Sequence, residues 1–284
     1  MLLVRSRSEV GLWSEHTRKA GRRIGLVPTM GSLHAGHTSL IDVARRSVDR
    51  IALSIFVNPL QFGPAEDYES YPRDLERDLD VAAAAGVDLV FAPPDVEMYP
   101  NGEPGVNVVP VGGVDRLCGR SRPGHFTGVL TVVAKLFGIV TPDVAVFGQK
   151  DYQQLVLIRR MATDLNFPVD VESGPIVREA DGLAMSSRNR HLSATDRKRA
   201  LRLSATLRSC AQLFAGGHRD PQDFVRELHR AGGAGVSVEY GEVVHPESLA
   251  PVDRVEEGAV CAVAAFVGDT RLIDNHVLGT DPGF

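Results

Sequence analysis

The sequence predicts an α/β protein, with a parallel sheet covered by helices and a smaller α+β unit after it. Three observations carry this. Short apolar runs at residues 23–28, 51–57, 87–92, 143–147 and 169–171 alternate with helical patterns. Beyond residue 177 the order changes to helices followed by strands. The 284 residues allow one large domain or two of ordinary size, with ample apolar material for a core.

The first run, residues 23–28, is closed by Pro28 and suits a strand buried in a parallel sheet. After it come Met30-Gly31-Ser32-Leu33-His34-Ala35-Gly36-His37, and then a helix predicted over 38–48. That helix would turn Leu40, Ile41, Val43 and Ala44 inward and Asp42, Arg45 and Arg46 outward. A phosphate chain at this junction would meet free backbone N–H groups and the positive end of the helix dipole. Gly31 and Gly36 let the backbone come close. His34 and His37, three apart, would lie on one face of the first helical turn and donate to the same phosphates. The same pair could instead cap the helix or bind a metal, although a metal needs further ligands that no nearby Cys or His offers.

In parallel sheets, ligands sit at the carboxyl ends of strands. After 51–57 stand Asn58 and Gln61; after 143–147 stand Gly148-Gln149-Lys150-Asp151 and then Gln154. Lys150 reads as a point charge for a triphosphate, Asp151 as an acceptor for ribose hydroxyls, and Gln61 and Gln154 as uncharged partners for a hydroxylated substrate. Each also has an ordinary reading, as a solvated lysine, an N-cap or surface glutamines, but polar residues recur at successive strand ends. The composition loosens over 173–181, which places a domain boundary near Val177. The prediction is a Rossmann-like sheet domain over 1–176 and a smaller α+β lid domain over 177–284. Met185-Ser186-Ser187-Arg188 follows the boundary, offering two hydroxyls and a guanidinium to phosphate oxygens on a segment that closure of the second domain would carry. Ser193 to Asp196 reads as a helix start, with Leu203, Leu207, Cys210, Ala211 and Phe214 at helical spacing, so Cys210 reads as core. A second helix near 221–230 and strands near 236–244, 259–266 and 270–274 complete this unit.

Lys and Arg total 31 against 36 Asp and Glu, a net charge of −5, which gives no basic field for nucleic acid. Three dispersed cysteines, Cys118, Cys210 and Cys261, fit a reducing compartment rather than a disulfide framework. No signal-peptide core and no membrane-length apolar run is seen, so a soluble cytoplasmic protein is expected.

His34 to His37 resembles the His-x-Gly-His signature of nucleotidylyltransferases and class I aminoacyl-tRNA synthetases. Further matches are Phe56-Val57-Asn58-Pro59-Leu60-Gln61-Phe62, Tyr71-Pro72-Arg73, Arg122-Pro123-Gly124-His125-Phe126, Phe147 to Leu155 and Asp181 to Asn189. With them the chain resembles the pantoate–β-alanine ligase family, in order and at family spacing over most of residues 24–193. The resemblance implies that ATP adenylates the carboxylate of (R)-pantoate with release of pyrophosphate, and that the β-alanine amine then displaces AMP to give pantothenate. It implies ATP binding along Met30, Gly31, Ser32, Leu33, His34, Ala35, Gly36 and His37, at Gly148, Gln149, Lys150 and Asp151, at Val177, and at Met185, Ser186, Ser187 and Arg188. His37 would be the proton donor, with His34, Lys150 and Arg188 stabilising phosphate charge. Gln61 and Gln154 match pantoate-binding glutamines, Gln61 also beside β-alanine, and Asn58, Arg122 and His125 match further pocket residues. Family members are usually homodimers that need Mg²⁺, for which Asp78 is the acidic candidate. This chain has Gln149 where many relatives have Glu, and Arg77 where many have an acidic residue. The rival readings are a nucleotidylyltransferase acting on a phosphorylated small molecule, which would show extra cations rather than Gln61 and Gln154, and a noncatalytic nucleotide sensor.

Overall fold

Asp49, Asp88 and Asp143 each precede or open a strand, and each carboxylate accepts the first amide of a neighbouring segment. Asp143 takes Ile24 N at 2.7 Å, Asp88 takes Ile51 N at 2.8 Å and Asp49 takes Arg23 N at 2.8 Å. These contacts pin the starts of neighbouring strands in the computed structural model, which describes residues 1–63 and 68–281.

In chain order the elements are β1 (Leu2–Val4), α1 (Arg7–Lys19), β2 (Ile24–Thr29), α2 (Ala35–Arg45), β3 (Arg50–Ile55), α3 (Leu75–Ala84), β4 (Leu89–Phe91), α4 (Asp95–Met98) and α5 (Leu117–Ser121). There follow α6 (His125–Val140), β5 (Val144–Gly148), α7 (Tyr152–Asp164), β6 (Asp170–Gly174), α8 (Ala194–Ala215), α9 (Pro221–His229), β7 (Val236–Val244), β8 (Val260–Val267) and β9 (Thr270–Val277). Short 3-10 turns occupy Pro59–Gln61, Gln149–Asp151 and Ser187–His191. The chain divides into two compact units. One holds Met1–Val111, Arg122–Gln149 and Leu157–Pro175; the other holds Gly112–Ser121, Lys150–Val156 and Ile176–Phe284.

The first unit carries a sheet of order β1-β4-β3-β2-β5-β6, parallel throughout. Val27, Leu53, Val90, Val144 and Val146 pack there with Leu40, Ile41 and Ala44 of α2. From β2 the chain builds β3 and β4 on one side and later β5 and β6 on the other, so the order reverses between β2 and β5. That is the switch point at which such sheets open a ligand crevice. The opening has a local cause: β2 meets β5 only at Gly25–Val144 and Leu26–Ala145. Pro28, which has no N–H to give a ladder, falls beyond that pairing and opposes only Ser54 of β3.

The predicted strands are found with shifted ends, and β9 runs on to Val277, past the predicted 274. Helix α2 begins at Ala35 rather than 38 and ends at Arg45, because a histidine supplies the cap, as described below.

The second unit is an antiparallel sheet, β7-β8-β9, with α8 and α9. Leu203, Leu207, Cys210, Phe224, Leu228, Cys261 and Val263 form its core. Strand β8 is apolar throughout, and seven of its eight residues are buried, so an alternating pattern is absent. Ser193 caps α8, its Oγ accepting from Asp196 N at 3.1 Å, as the sequence predicts. All three cysteines are free and buried. Among the described residues no helix is long and apolar enough to cross a membrane.

Candidate active site

At the end of β2, Gly31 (φ 83°) and Ser32 (φ 53°) adopt left-handed backbone that turns the chain toward α2. Asp78, 1 % exposed, holds this turn: Oδ2 accepts Ser32 N at 2.8 Å and Oδ1 accepts Leu33 N at 2.7 Å. A Cβ on Gly31 would stand 2.8 Å from Asp78 Oδ2, so both the φ and the close carboxylate require glycine. Both Asp78 oxygens are thus engaged by backbone amides in a buried position.

His34 then caps α2. Its Nδ1 accepts Gly36 N at 3.1 Å, while His37 Nδ1 accepts His34 N at 3.3 Å, and the ring centroids are 4.1 Å apart. An Nδ1 that accepts places the proton of the neutral ring on Nε2. Both half-buried rings therefore take backbone N–H on one side and have an Nε2–H donor on the other. His34 precedes the first helical turn instead of lying on it, and Gly36 N, expected to be free, is engaged by an imidazole. Of the readings open to this pair, these bonds show the helix cap.

A second turn, Pro59–Gln61, lies at the end of β3. Gln61 Nε2 donates to Met30 Sδ at 2.9 Å, and Gln61 Oε1 accepts from Asn58 Nδ2 at 3.2 Å. The Gln61 carbonyl accepts from His125 Nδ1 at 2.8 Å and from Arg122 Nη2 at 3.3 Å, and Arg122 Nη1 donates to His125 Nε2 at 3.0 Å. Asn58, 1 % exposed, accepts from Tyr99 Oη at 2.7 Å and donates to the Gly128 carbonyl at 3.1 Å. Asn58, Arg122 and His125, predicted to line the pocket, are thus gathered around the Gln61 backbone as its frame. Tyr99 joins that frame without any sequence signal. Beside it a cavity of about 260 Å³ is lined by Met30, Gly31, Phe56, Tyr68, Arg73 and Asp78, among others. Gly148 ends β5 and Gln149 begins the turn after it, both in this unit.

The second unit holds Lys150, Asp151, Gln154, Val177 and Met185 to Arg188. Lys150 is half-buried and makes no ion pair among the described residues, and Asp151 is exposed. Gln154 is half-buried, whereas its neighbour Gln153 is buried and donates to the carbonyls of Gly113 (2.7 Å) and Arg116 (3.0 Å). Val177 and Met185 close a small hairpin, Met185 N donating to Val177 O at 2.9 Å. Ser186 caps the turn that carries Ser187 and Arg188, its Oγ accepting from Arg188 N at 3.3 Å.

Behind these segments stands a buried polar run that sequence reasoning missed, Asp274-Asn275-His276 of β9, each no more than 4 % exposed. Asp274 takes a two-pronged contact from Arg178, at 2.7 and 3.1 Å, and Asn275 Nδ2 donates to Lys150 O at 2.9 Å. Burial, reinforced by the Arg178 charge, lowers the His276 imidazole to about 4, so it is neutral at neutral pH. Burial also raises the Asp274 carboxyl, against the pull of Arg178. The sequence signal is three consecutive polar residues inside an otherwise strand-like stretch. Among the described residues no group of three or more His, Cys, Asp or Glu could hold a metal ion.

A parallel sheet with its switch point, and a His-capped helix where the central strand ends, define an α/β protein of the His-x-Gly-His nucleotide-binding class. The sequence model of the pantoate-beta-alanine ligase family matches residues 2–277, and the chain belongs to that family. It is 49 % identical to pantothenate synthetase of Thermoanaerobacter sp. (strain X514) over 282 residues, 98 % of this chain and 99 % of that protein. Its fold matches the crystal structure of pantothenate synthetase from Thermus thermophilus with a TM-score of 0.90 at 45 % identity, covering 98 % of this chain and 99 % of that one. It also matches the crystal structure of pantoate-beta-alanine ligase from Francisella tularensis complexed with beta-gamma ATP and beta-alanine, with a TM-score of 0.82 at 32 % identity and 99 % of both chains covered.

Proposed function

We propose that this chain is an AMP-forming carbon–nitrogen ligase: ATP adenylates (R)-pantoate, pyrophosphate leaves, and the β-alanine amine displaces AMP to give pantothenate. The observation that carries the reading is the His34–His37 pair, two imidazoles with Nδ1 engaged by backbone amides, in a chain whose family match runs over residues 2–277. A carboxylate is a poor acyl donor until its oxygen becomes a good leaving group. Adenylation achieves this when donors neutralise the charge building on the phosphates.

Four side chains are proposed for that charge. His34 and His37 act as Nε2–H donors, His37 also as the proton donor, and Lys150 and Arg188 act as cations. The backbone of Met30 to His37, of Gly148 to Asp151 and of Val177, and the segment Met185 to Ser187, are proposed to bind ATP. Gln61 and Gln154 are proposed for pantoate, Gln61 also for β-alanine, with Asn58, Arg122 and His125 setting the Gln61 turn. Mg²⁺ would be held by phosphate oxygens and water, a mode that suits this ion and needs no cage of side chains. Asp78, whose two oxygens also hold Ser32 N and Leu33 N, is proposed as its acidic contributor. Residues 1–176 are proposed as the ATP- and pantoate-binding domain and 177–284 as the smaller lid domain.

A homodimer is part of the same proposal. Val106, Val109 and Val111, 85 %, 65 % and 103 % exposed, support it as apolar surface. A cytoplasmic location is supported by three free cysteines.

Pyrophosphate–ATP exchange tests the reaction, because the amine has nothing to attack until pantoate is activated. Exchange is expected to require pantoate and not β-alanine. A strict need for β-alanine would mean a concerted ternary reaction, and exchange without pantoate would mean that another acid is adenylated.

A further inference from the structure

Successive residues of a β-strand project to opposite faces. In β9, Asp274 and Asn275 are successive, both buried, and each holds a different segment of the second unit. On one face Asp274 receives Arg178 through two bonds, and Arg178 Nη1 also donates to the Gly182 carbonyl at 3.2 Å. Arg178 lies in the hairpin that Val177 and Met185 close, where it bridges Ala184. Asn189 Nδ2 donates to the Ala184 carbonyl at 3.0 Å and to Glu179, which ties the Ser186–Arg188 turn to the same hairpin. On the other face Asn275 donates to the Lys150 carbonyl.

We propose that Asp274 and Asn275 are positioning residues, a two-sided clamp that sets the Val177–Arg188 segment through Arg178 and the Lys150 turn through its backbone carbonyl. The proposal rests on the reading that these two segments handle ATP. Neither residue touches a reacting atom. Their chemistry nevertheless suits a positioning role. A bidentate guanidinium–carboxylate pair fixes orientation as well as distance, and a carbonyl held by a buried amide fixes the rotation of the turn that aims the Lys150 ammonium. A cation displaced by about 1 Å from its place in a transition state can cost on the order of a hundredfold in rate. Three consecutive buried polar residues in an antiparallel strand gain nothing by packing over apolar ones, and the positioning role accounts for them.

The test is a double-mutant cycle on pantoate-dependent pyrophosphate–ATP exchange. Asn275→Ala removes the neutral hydrogen bond to the Lys150 carbonyl and is expected to slow exchange by about tenfold or more, with the KM for pantoate unchanged. In a Lys150→Ala background the same substitution should cost nothing further, since its effect passes through Lys150. Asp274→Asn should raise the KM for ATP by about tenfold while leaving that for pantoate alone. Because this variant leaves a buried guanidinium poorly matched, its melting temperature and circular dichroism are read alongside, and Asn275→Ala is decisive if it does not fold. Exchange by Asn275→Ala within twofold of wild type, or a full multiplicative loss in the double variant, overturns the clamp. If wild-type protein shows no exchange, the proposed reaction fails instead, and the clamp is then judged by calorimetric titration with ATP, where unchanged affinity in Asn275→Ala rejects it.

Discussion

Asp78 shows at the residue scale what one buried carboxylate does for the backbone around it. Two buried amides, Ser32 N and Leu33 N, depend on it. Removing the acceptors leaves both donors unsatisfied, at about 1–3 kcal/mol each. Asp78→Ala is therefore expected to lower the melting temperature and to raise the KM for ATP, through disorder of the turn before His34. An unchanged KM would show that the turn holds without it. Lys150 and Gln154 should separate by chemistry. Lys150→Ala should slow adenylate formation by on the order of a hundredfold, as for a lost transition-state charge contact. Gln154→Ala should raise the KM for pantoate while ATP binding persists. Single-turnover kinetics with varied pantoate and ATP decides this, and equal loss of ATP affinity in both variants would contradict the division. His37→Ala should remove most activity with the fold intact. Adenylate formation at the wild-type rate by this variant would end the proposed role of the imidazole.

Among the elements, α6 and the Pro59–Gln61 turn are tightly fitted. A Cβ on Gly128 would lie 2.2 Å from the Leu60 carbonyl oxygen, which is backbone and cannot swing aside. Gly128→Ala is expected to cost about 1–3 kcal/mol through overpacking. It should also push the Gln61 turn, so that the KM for pantoate rises more than that for ATP. Equal KM values with lowered stability would show that the helix yields instead of the turn. The elements themselves were largely legible, because apolar runs and helical periodicity are local properties. Helix α2 starts before its predicted position for a local reason of another kind. An imidazole at the cap position does what Ser, Thr or Asp usually does, and composition alone carries no sign that His34 would turn its Nδ1 onto Gly36 N.

For the whole molecule, the clearest consequence of burial is a dependence of stability on pH. His276 is lowered to about 4 in the folded chain, against about 6.5 when unfolded. Between those values the unfolded chain binds a proton that the folded chain does not. This contribution is therefore complete above about pH 6.5 and is lost as pH falls toward 4. By pH 5 about 2 kcal/mol of it has been lost. The Asp274 carboxyl is shifted upward by burial, so a comparison with His276→Gln is what isolates the histidine. Urea midpoints at pH 7 and pH 5 should fall less in that variant than in wild type, and parallel falls would mean that the imidazole is protonated in the folded state.

By itself the sequence determined the parallel sheet, the order of most elements, the His-x-Gly-His junction and the family. Each of these is written in contiguous residues, through apolar periodicity, a turn or a motif. Tertiary structure alone decided what the polar side chains do. Asp78 is 45 and 46 residues from the amides it holds, Gln61 is 61 and 64 from Arg122 and His125, and Asn275 is 125 from Lys150. A carboxylate or an amide has the same formula whether it faces solvent, a ligand or a buried backbone group. Which of these it meets is fixed only when the sheet and helices have brought distant segments together and removed the water between them.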